Sequence, residues 1–121
     1  MKKDAFRGQA VIVTGASAGI GKSLALQLAS QGVKVVLAAR RADRLEQVAE
    51  ECRQRGGEAL AVPMDVSDEA QCKSLVEQTI AKFGKLDMLI NNAGLAVSAL
   101  FDEFPDLHLF RHTMEVNFYG A

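Results

Sequence analysis

Short apolar runs rich in β-branched residues alternate along the chain with longer segments of helical period. The short runs predict four buried strands, at residues 10–14, 33–39, about 58–64 and 87–90. Apolar residues spaced three or four apart predict three helices between them, which end near Gly32, Gly56 and Gly84. Ser67 and Asp68 are both candidates to cap the third helix. A fourth amphipathic helix is predicted over residues 109–117, so that the chain reads β-α-β-α-β-α-β-α.

Strands that are apolar on both faces and joined through helices are typical of a parallel sheet covered by helices on each side. The sequence therefore predicts an α/β fold, a Rossmann-like doubly wound parallel sheet. Pro63 cannot donate to a strand ladder, so we expect the third strand at an edge, as in the strand order 3-2-1-4. The chain reverses direction between the first and fourth strands, which opens a ligand crevice at their carboxyl ends.

Composition and charge narrow the class of protein. The chain has 121 residues, about one domain, and 49% of them are hydrophobic; 14 basic residues nearly balance 15 acidic ones, for a net charge of -1. This balance excludes a disordered chain and provides no electrostatic drive for binding nucleic acid. No apolar run approaches the roughly 20 residues of a membrane span, so we expect no membrane association. Cys52 and Cys72 form no disulfide framework, which indicates packing thiols and a cytoplasmic location.

A glycine-rich turn follows the first strand, where residues 14–23 read TGASAGIGKS. Glycines spaced four and two apart let the backbone approach an anion closely. The helix that begins there directs free N–H groups and a positive dipole end at the same place, so a diphosphate is the expected ligand. The alternative is a plain connecting turn. A Walker loop is excluded, because five residues rather than four separate Gly15 from Gly21.

Further motifs follow this turn along the chain. They are Asp65-Val66 after the third strand, Asn91-Asn92-Ala93-Gly94 after the fourth, and Asn117 within the segment MEVNFYG. Together with Thr14 and the glycine spacing, they resemble the short-chain dehydrogenase/reductase family, classical type. The resemblance covers the entire chain but about the first half of the family's domain. It implies that residues 1–121 form an NAD(P)-binding Rossmann-type domain that ends before the family's catalytic Ser, Tyr and Lys segment.

The resemblance implies a dinucleotide lying across the crevice, held by three groups of residues. The pyrophosphate is held by Gly15, Gly19, Ile20 and Gly21. The adenine is held by Asp65 and the backbone of Val66. The nicotinamide ribose is lined by Asn92, Ala93 and Gly94. Asn91 is expected to have a structural role instead, in which it ties the fourth strand to Thr14.

The end of the second strand bears on which dinucleotide is bound. Dinucleotide folds that recognise a free ribose 2′-hydroxyl usually place an acid about 20 residues beyond the glycines. Here residues 38–41 read AARR, with no acid. A guanidinium can bind a 2′-phosphate that a carboxylate would repel, so Arg40, with Ser17 and Arg41, predicts NADP(H). The alternative is that both arginines are the solvated start of the next helix. Arg44 is expected to be plain surface.

The family's chemistry implies hydride transfer between NADP(H) and a carbonyl or alcohol substrate. Its catalytic set is a Tyr, a Lys four residues later, a Ser, and an Asn whose backbone helps to hold a water. Asn117 matches this last member, whereas Tyr119 directly follows the Asn motif and is rejected as the catalytic acid. We therefore expect an oxidoreductase whose first 121 residues do not turn over by themselves. The alternative is a non-catalytic NADP-binding sensor or scaffold module, which a downstream Ser and Tyr-x-x-x-Lys would exclude.

Two further expectations concern partners and metals. Residues 88–90 are apolar and would lie at an open sheet edge, so we expect a longer gene product or another chain to cover that edge, and the family resemblance implies a homo-oligomer. His108 and His112 are spaced for one helix face, but they lack the glutamate and the third ligand of a metal site. We interpret them as surface or interface residues, with no metal.

Overall fold

The structure, a computed structural model, describes residues 7–65 and 67–92. Within these residues four strands alternate with three helices. In chain order the elements are β1 (Ala10–Thr14), α1 (Gly19–Ser30), β2 (Lys34–Ala39), α2 (Ala42–Gln54), β3 (Glu58–Pro63), α3 (Glu69–Phe83) and β4 (Met88–Ile90). The predicted alternation is confirmed through β4. The predicted fourth helix lies outside the described residues.

The strands form one parallel sheet in the order β3-β2-β1-β4, as predicted. Pro63 closes the edge strand β3, opposite Ala39 of β2. The N–H of Met64 donates to the carbonyl oxygen of Ala39 at 2.8 Å. Because successive residues of a strand point their N–H groups to opposite sides, the nitrogen of Pro63 faces away from β2. Its missing donor therefore leaves the ladder with β2 intact.

Three strand ends differ from the prediction by one residue. Val33 is buried, but its N–H donates to Leu28 at the end of α1, so β2 begins at Lys34. β3 ends at Pro63 and β4 begins at Met88, although the N–H groups of Met64 and Asp87 still donate to the neighbouring strands. At Val33 and Met64 the apolar pattern reports burial, which continues for a residue beyond regular pairing.

The core lies on both faces of the sheet. Every residue of β1 is buried, and so are Val35 to Ala39 of β2. Right-handed crossovers place α1 and α2 together on one face and α3 on the other, where α3 packs on β1 and β2. Cys52 joins α1 and α2, because its buried thiol points at the carbonyl oxygen of Ala25, 3.8 Å away. Burial raises the pKa of Cys52 to about 11, as expected of a packing thiol.

Asp68 is the N-cap of α3, where its carboxylate accepts from the N–H of Gln71 at 3.1 Å. Ser67, the other candidate, does not cap the helix. Its hydroxyl donates to Asp65 at 2.7 Å, because the turn before α3 brings the two side chains together. In residues 7–65 and 67–92 no helix is long and apolar enough to span a membrane.

Candidate functional site

The carboxyl ends of the four parallel strands meet at one edge of the sheet. The glycine turn follows β1 there, and residues 40–41 follow β2. Asp65 lies two residues beyond β3, and Asn92 lies two residues beyond β4. The topology therefore brings sequence-predicted site residues from all four strands to the same crevice, where parallel α/β sheets bind their ligands.

The glycine turn is held close to the sheet and to its own helix. The N–H of Gly15 donates to the carbonyl oxygen of Ala38 in β2 at 2.8 Å, which fixes where the turn leaves β1. A Cβ at Gly21 would lie 2.3 Å from the carbonyl oxygen of Gly15 and 3.0 Å from the side-chain amide nitrogen of Asn92. Only glycine permits this approach, so the first turn of α1 lies directly against the glycine turn and against the side chain of Asn92.

The N-terminus of α1 is open where that of α3 is capped. Its N-cap residue, Ala18, makes no side-chain cap, and no acidic residue lies in the first turn. The N–H groups of Gly19, Ile20 and Gly21 make no hydrogen bond with other described residues. A Cβ at Gly19 would meet nothing within 4 Å, so the space around that residue is open. Free donors, a positive dipole end and open space fit the diphosphate of a dinucleotide.

Thr14 joins the end of β1 to the residues that follow β4. Its hydroxyl lies 3.3 Å from the Asn91 side-chain oxygen and 3.4 Å from the Ile90 carbonyl oxygen, and it accepts from the N–H of Asn92 at 2.8 Å. Thr14 and Asn91 are both buried. The prediction that Asn91 ties the fourth strand to Thr14 is confirmed, and the same hydroxyl also fixes the backbone of Asn92.

Arg40 and Asp65 face each other beyond the ends of β2 and β3. The Arg40 Nη2 lies 3.3 Å from the Asp65 Oδ2, and 76% of the arginine side chain is exposed against 38% of the aspartate. The other carboxylate oxygen, Oδ1, accepts from both the N–H and the hydroxyl of Ser67. These two hydrogen bonds, followed by the charge of Arg40, lower the pKa of Asp65 below its ordinary value of 3.8. Asp65 is therefore ionised at neutral pH.

Arg41 is the N-cap residue of α2 and turns toward its own helix. Its Nε lies 3.5 Å from an Asp43 oxygen, and both side chains are more than half exposed. The backbone N–H of Arg44 and, more weakly, the charge of Arg41 lower the pKa of Asp43. The alternative interpretation, a solvated helix start, describes Arg41 well, whereas Arg40 is directed to the strand ends.

Ser17 lines a cavity of about 350 Å³ between the start of α1 and α2, together with Gly19, Lys22 and Arg44. Sequence reasoning assigned Arg44 to plain surface and did not single out Lys22. Both lie in the first turns of helices that begin at the carboxyl ends of neighbouring strands, and this shared position is the signal that would have found them. Lys22 also faces Glu51 at 3.8 Å, and that contact spans the two helices.

Two of the remaining predicted site residues are described by the structure, and the others lie outside the described residues. Ile20 is 68% exposed beside the open helix start, whereas Gly21 is buried. Val66, Ala93, Gly94 and Asn117 lie outside the described residues, as do the two histidines. Within the described part of the chain, no group of three His, Cys, Asp or Glu side chains is placed to hold a metal ion.

Comparison with known proteins agrees with this arrangement. Residues 9–121 match the sequence model of the family described as short chain dehydrogenase. The chain belongs to the short-chain dehydrogenase family. Members of this family are oxidoreductases that use a nicotinamide dinucleotide, NAD or NADP.

Relatives of this short-chain dehydrogenase include two plant proteins. One is the 11-beta-hydroxysteroid dehydrogenase-like 2 of Arabidopsis thaliana, 46% identical over 115 residues that make up 94% of this chain and 37% of that protein. The other is an 11-beta-hydroxysteroid dehydrogenase of Pinus massoniana, 44% identical over 96% of this chain and 33% of that protein. The chain thus spans about a third of the length of these relatives.

Solved structures of other short-chain dehydrogenases share the fold. A hydroxysteroid dehydrogenase from Escherichia coli superposes with a TM-score of 0.72 and 40% identity, over 76% of this chain and 39% of that one. A xylitol dehydrogenase solved with NAD+ superposes with a TM-score of 0.71 and 37% identity, over 74% of this chain and 35% of that one.

Proposed function

We propose that this chain is the cofactor-binding part of an NADP(H)-dependent oxidoreductase that transfers hydride between the cofactor and a carbonyl or alcohol substrate. The observation that carries the proposal is the open N-terminus of α1. Three N–H groups there, which make no hydrogen bond with the described residues, lie at the crevice that Asn92 and Arg40 also border. A dinucleotide presents a diphosphate between two nucleosides, which matches donors in the middle and polar side chains on either side.

Each group of residues then has one task. The backbone of Gly15, Gly19, Ile20 and Gly21 holds the pyrophosphate. Asp65 accepts from the adenine amino group and the backbone of Val66 lies against the adenine, while Asn92, Ala93 and Gly94 line the nicotinamide ribose. When bound, the nicotinamide supplies or accepts the hydride. Asn117, through its backbone, holds a water for proton transfer.

The choice of NADP(H) rests on charge at the end of β2. No carboxylate follows Ala39 directly, and Arg40 stands there with most of its side chain in solvent. The cavity between the start of α1 and α2 is lined by Ser17, Lys22, Arg44 and Glu51. Because Glu51 faces Lys22 at 3.8 Å, these two charges offset each other, and Arg44 is the cation that adds to Arg40. A dianionic 2′-phosphate suits these positively charged surroundings better than a free hydroxyl does. Arg41 contributes a further positive charge to 2′-phosphate binding once its side chain leaves Asp43.

The substrate class, the assembly and the location are proposed on separate grounds. Relatives named for hydroxysteroids support a secondary alcohol or ketone on an apolar skeleton as the substrate. β4 pairs only with β1 in the described sheet, and a homo-oligomer or further chain would cover its free side. Cys52 and Cys72 are buried and form no disulfide within the described residues, which supports a cytoplasmic location.

Calorimetric titration with NADP+ and NAD+ tests the cofactor assignment. Arg40→Ala removes a charge-assisted contact to the 2′-phosphate, so it is expected to weaken NADP+ binding by about 1.5–3 kcal/mol and to change NAD+ binding little. Arg55→Ala is the matched control, because Arg55 is an exposed arginine at the opposite end of α2. Equal losses for both dinucleotides in Arg40→Ala would contradict the preference for NADP+.

Absorbance of NADPH tests the assignment of the catalytic set. The 121 residues hold only Asn117 of the family's four catalytic members in register. We expect the purified chain to bind NADPH without oxidising it in the presence of a panel of ketones that includes a ketosteroid. Turnover by this chain would show that another residue acts as the proton donor.

A further inference from the structure

Two residues to which the proposed function gives different tasks are in contact with each other. Arg40 is assigned to the 2′-phosphate and Asp65 to the adenine amino group, yet Arg40 Nη2 lies 3.3 Å from Asp65 Oδ2. The residues are 25 positions apart in the chain, and the parallel pairing of β2 with β3 brings them together. The arginine therefore has a partner before any cofactor arrives.

The two members of this pair are held very differently. The Asp65 carboxylate is fixed by the N–H and hydroxyl of Ser67, at 2.9 and 2.7 Å, and its own N–H donates to the Gln71 side chain at 2.9 Å. Arg40 has one contact of hydrogen-bond length with the described residues, the one to Asp65, and 76% of its side chain is exposed. Asp65 is thus a fixed partner, and Arg40 is free to exchange it for another anion.

We propose that Asp65 competes with the 2′-phosphate for the Arg40 guanidinium and thereby sets how strongly the site prefers a phosphorylated ribose. The proposal rests on the proposed function. With a 2′-phosphate present, Arg40 leaves Asp65 for the dianion. Without a 2′-phosphate, Arg40 remains with Asp65. Selectivity then depends on the difference between the two partners of one arginine.

The competition makes a prediction with an unusual sign. Removing the negative charge of Asp65 is expected to strengthen the binding of a ligand with a 2′-phosphate relative to one without it, because Arg40 no longer gives up an ion pair. An exposed pair of this kind is weak, so the gain is about two- to fivefold. Both ligands of a matched set share the adenine, so any change in the adenine contact cancels in the ratio of their affinities.

Adenosine 2′,5′-bisphosphate and adenosine 5′-monophosphate are the matched ligands, since they differ by the 2′-phosphate alone. Their dissociation constants are measured by calorimetry for the wild type, Asp65→Asn, Arg40→Ala and the double variant. We expect Asp65→Asn to raise the preference for the bisphosphate by about two- to fivefold, and to leave it unchanged in the Arg40→Ala background. Asparagine keeps an oxygen that can accept from Ser67, and circular dichroism verifies the fold of each variant.

Glu69→Gln is the control for loss of negative charge in general. Glu69 is an exposed acid in the first turn of α3, four residues after Asp65. A preference that is unchanged or lower in Asp65→Asn overturns the proposal, and so does an equal rise in Glu69→Gln or in the Arg40→Ala background. If neither ligand binds the wild type, the proposed function fails as well. If both bind and the preference does not respond to Asp65, the competition alone is wrong.

A measurement on the wild type provides the second test. The pKa of the Asp65 carboxyl is followed by NMR in the free protein and with each ligand. We expect it to rise on binding of the bisphosphate, because the carboxylate loses Arg40 and gains a nearby anion. The monophosphate is expected to produce a clearly smaller rise. Equal pKa values in the two complexes would show that Arg40 does not leave Asp65.

Discussion

The hydroxyl of Thr14 accepts a hydrogen bond from the backbone N–H of Asn92 at 2.8 Å, across 78 positions of the chain. Thr14 is fully buried at the end of β1, and Asn92 is the second residue beyond β4. The side-chain amide nitrogen of Asn92 would lie 3.0 Å from a Cβ at Gly21, in the first turn of α1. One hydroxyl therefore sets the position of β4's exit relative to the glycine turn.

Thr14→Val tests the energetic role of this hydroxyl. Valine keeps the shape of the side chain but leaves the part-buried N–H of Asn92 without its acceptor. We expect the free energy of unfolding to fall by about 1–3 kcal/mol, measured by chemical denaturation. Thr79→Val is the control, because the Thr79 hydroxyl donates to the Leu75 carbonyl within α3. That carbonyl keeps its helical hydrogen bond, so a loss in Thr79→Val as large as in Thr14→Val would contradict the explanation.

The strand order was predictable because it depends on features written along the chain. Pro63 marks an edge strand, and the glycine turn after β1 marks the crevice. The contact between Arg40 and Asp65 was not predictable in this way. It depends on the rotamer of an exposed arginine and on a carboxylate whose direction is set by Ser67. Sequence spacing fixes which strand ends are neighbours and does not fix where their side chains turn.

Alanine substitutions at the two helical glycines of the turn, Gly19 and Gly21, are expected to destabilise the protein for different reasons. Gly21→Ala places a Cβ 2.3 Å from the Gly15 carbonyl oxygen, so α1 must move away from the turn. We expect a loss of about 1–3 kcal/mol in stability together with loss of dinucleotide binding, measured by denaturation and calorimetry. Gly19→Ala has open space but a φ of +61°, so it strains the backbone by about 1–2 kcal/mol without a collision. Unimpaired dinucleotide binding in Gly21→Ala would contradict the close approach.

The pKa of Asp65 reports which partner dominates. The Ser67 hydroxyl contributes most to the lowered value and Arg40 contributes less. We therefore expect Ser67→Ala to raise the pKa of Asp65 toward 3.8 by more than Arg40→Ala does, measured by NMR titration of the carboxyl. Because the folded-state pKa is lowered, the contribution of Asp65 to stability is present above 3.8 and is lost as pH falls through the folded value. The reverse order of the two variants would contradict the assignment to Ser67.

The thiol of Cys52 predicts a loss of stability at alkaline pH. Burial raises its pKa from 9.0 to about 11, so the folded state retains a proton that the unfolded state loses. The contribution is full below pH 9.0 and falls as pH rises toward about 11. Chemical denaturation of the wild type and Cys52→Ala above and below pH 9.0 measures this slope. We expect a shallower slope in the variant, with Cys72, whose pKa burial also raises, accounting for the remainder. Identical slopes would exclude Cys52 as the source.

Pro63 determines at which edge of the sheet a further strand can pair. The outward row of N–H groups on β3 is interrupted at this residue, because the proline nitrogen points away from β2 with no hydrogen to offer. An additional strand, from this chain or a second copy, meets an incomplete ladder on that margin. The side of β4 that faces away from β1 carries no such interruption from Met88 to Ile90, so extension of the sheet is directed there, next to the dinucleotide crevice.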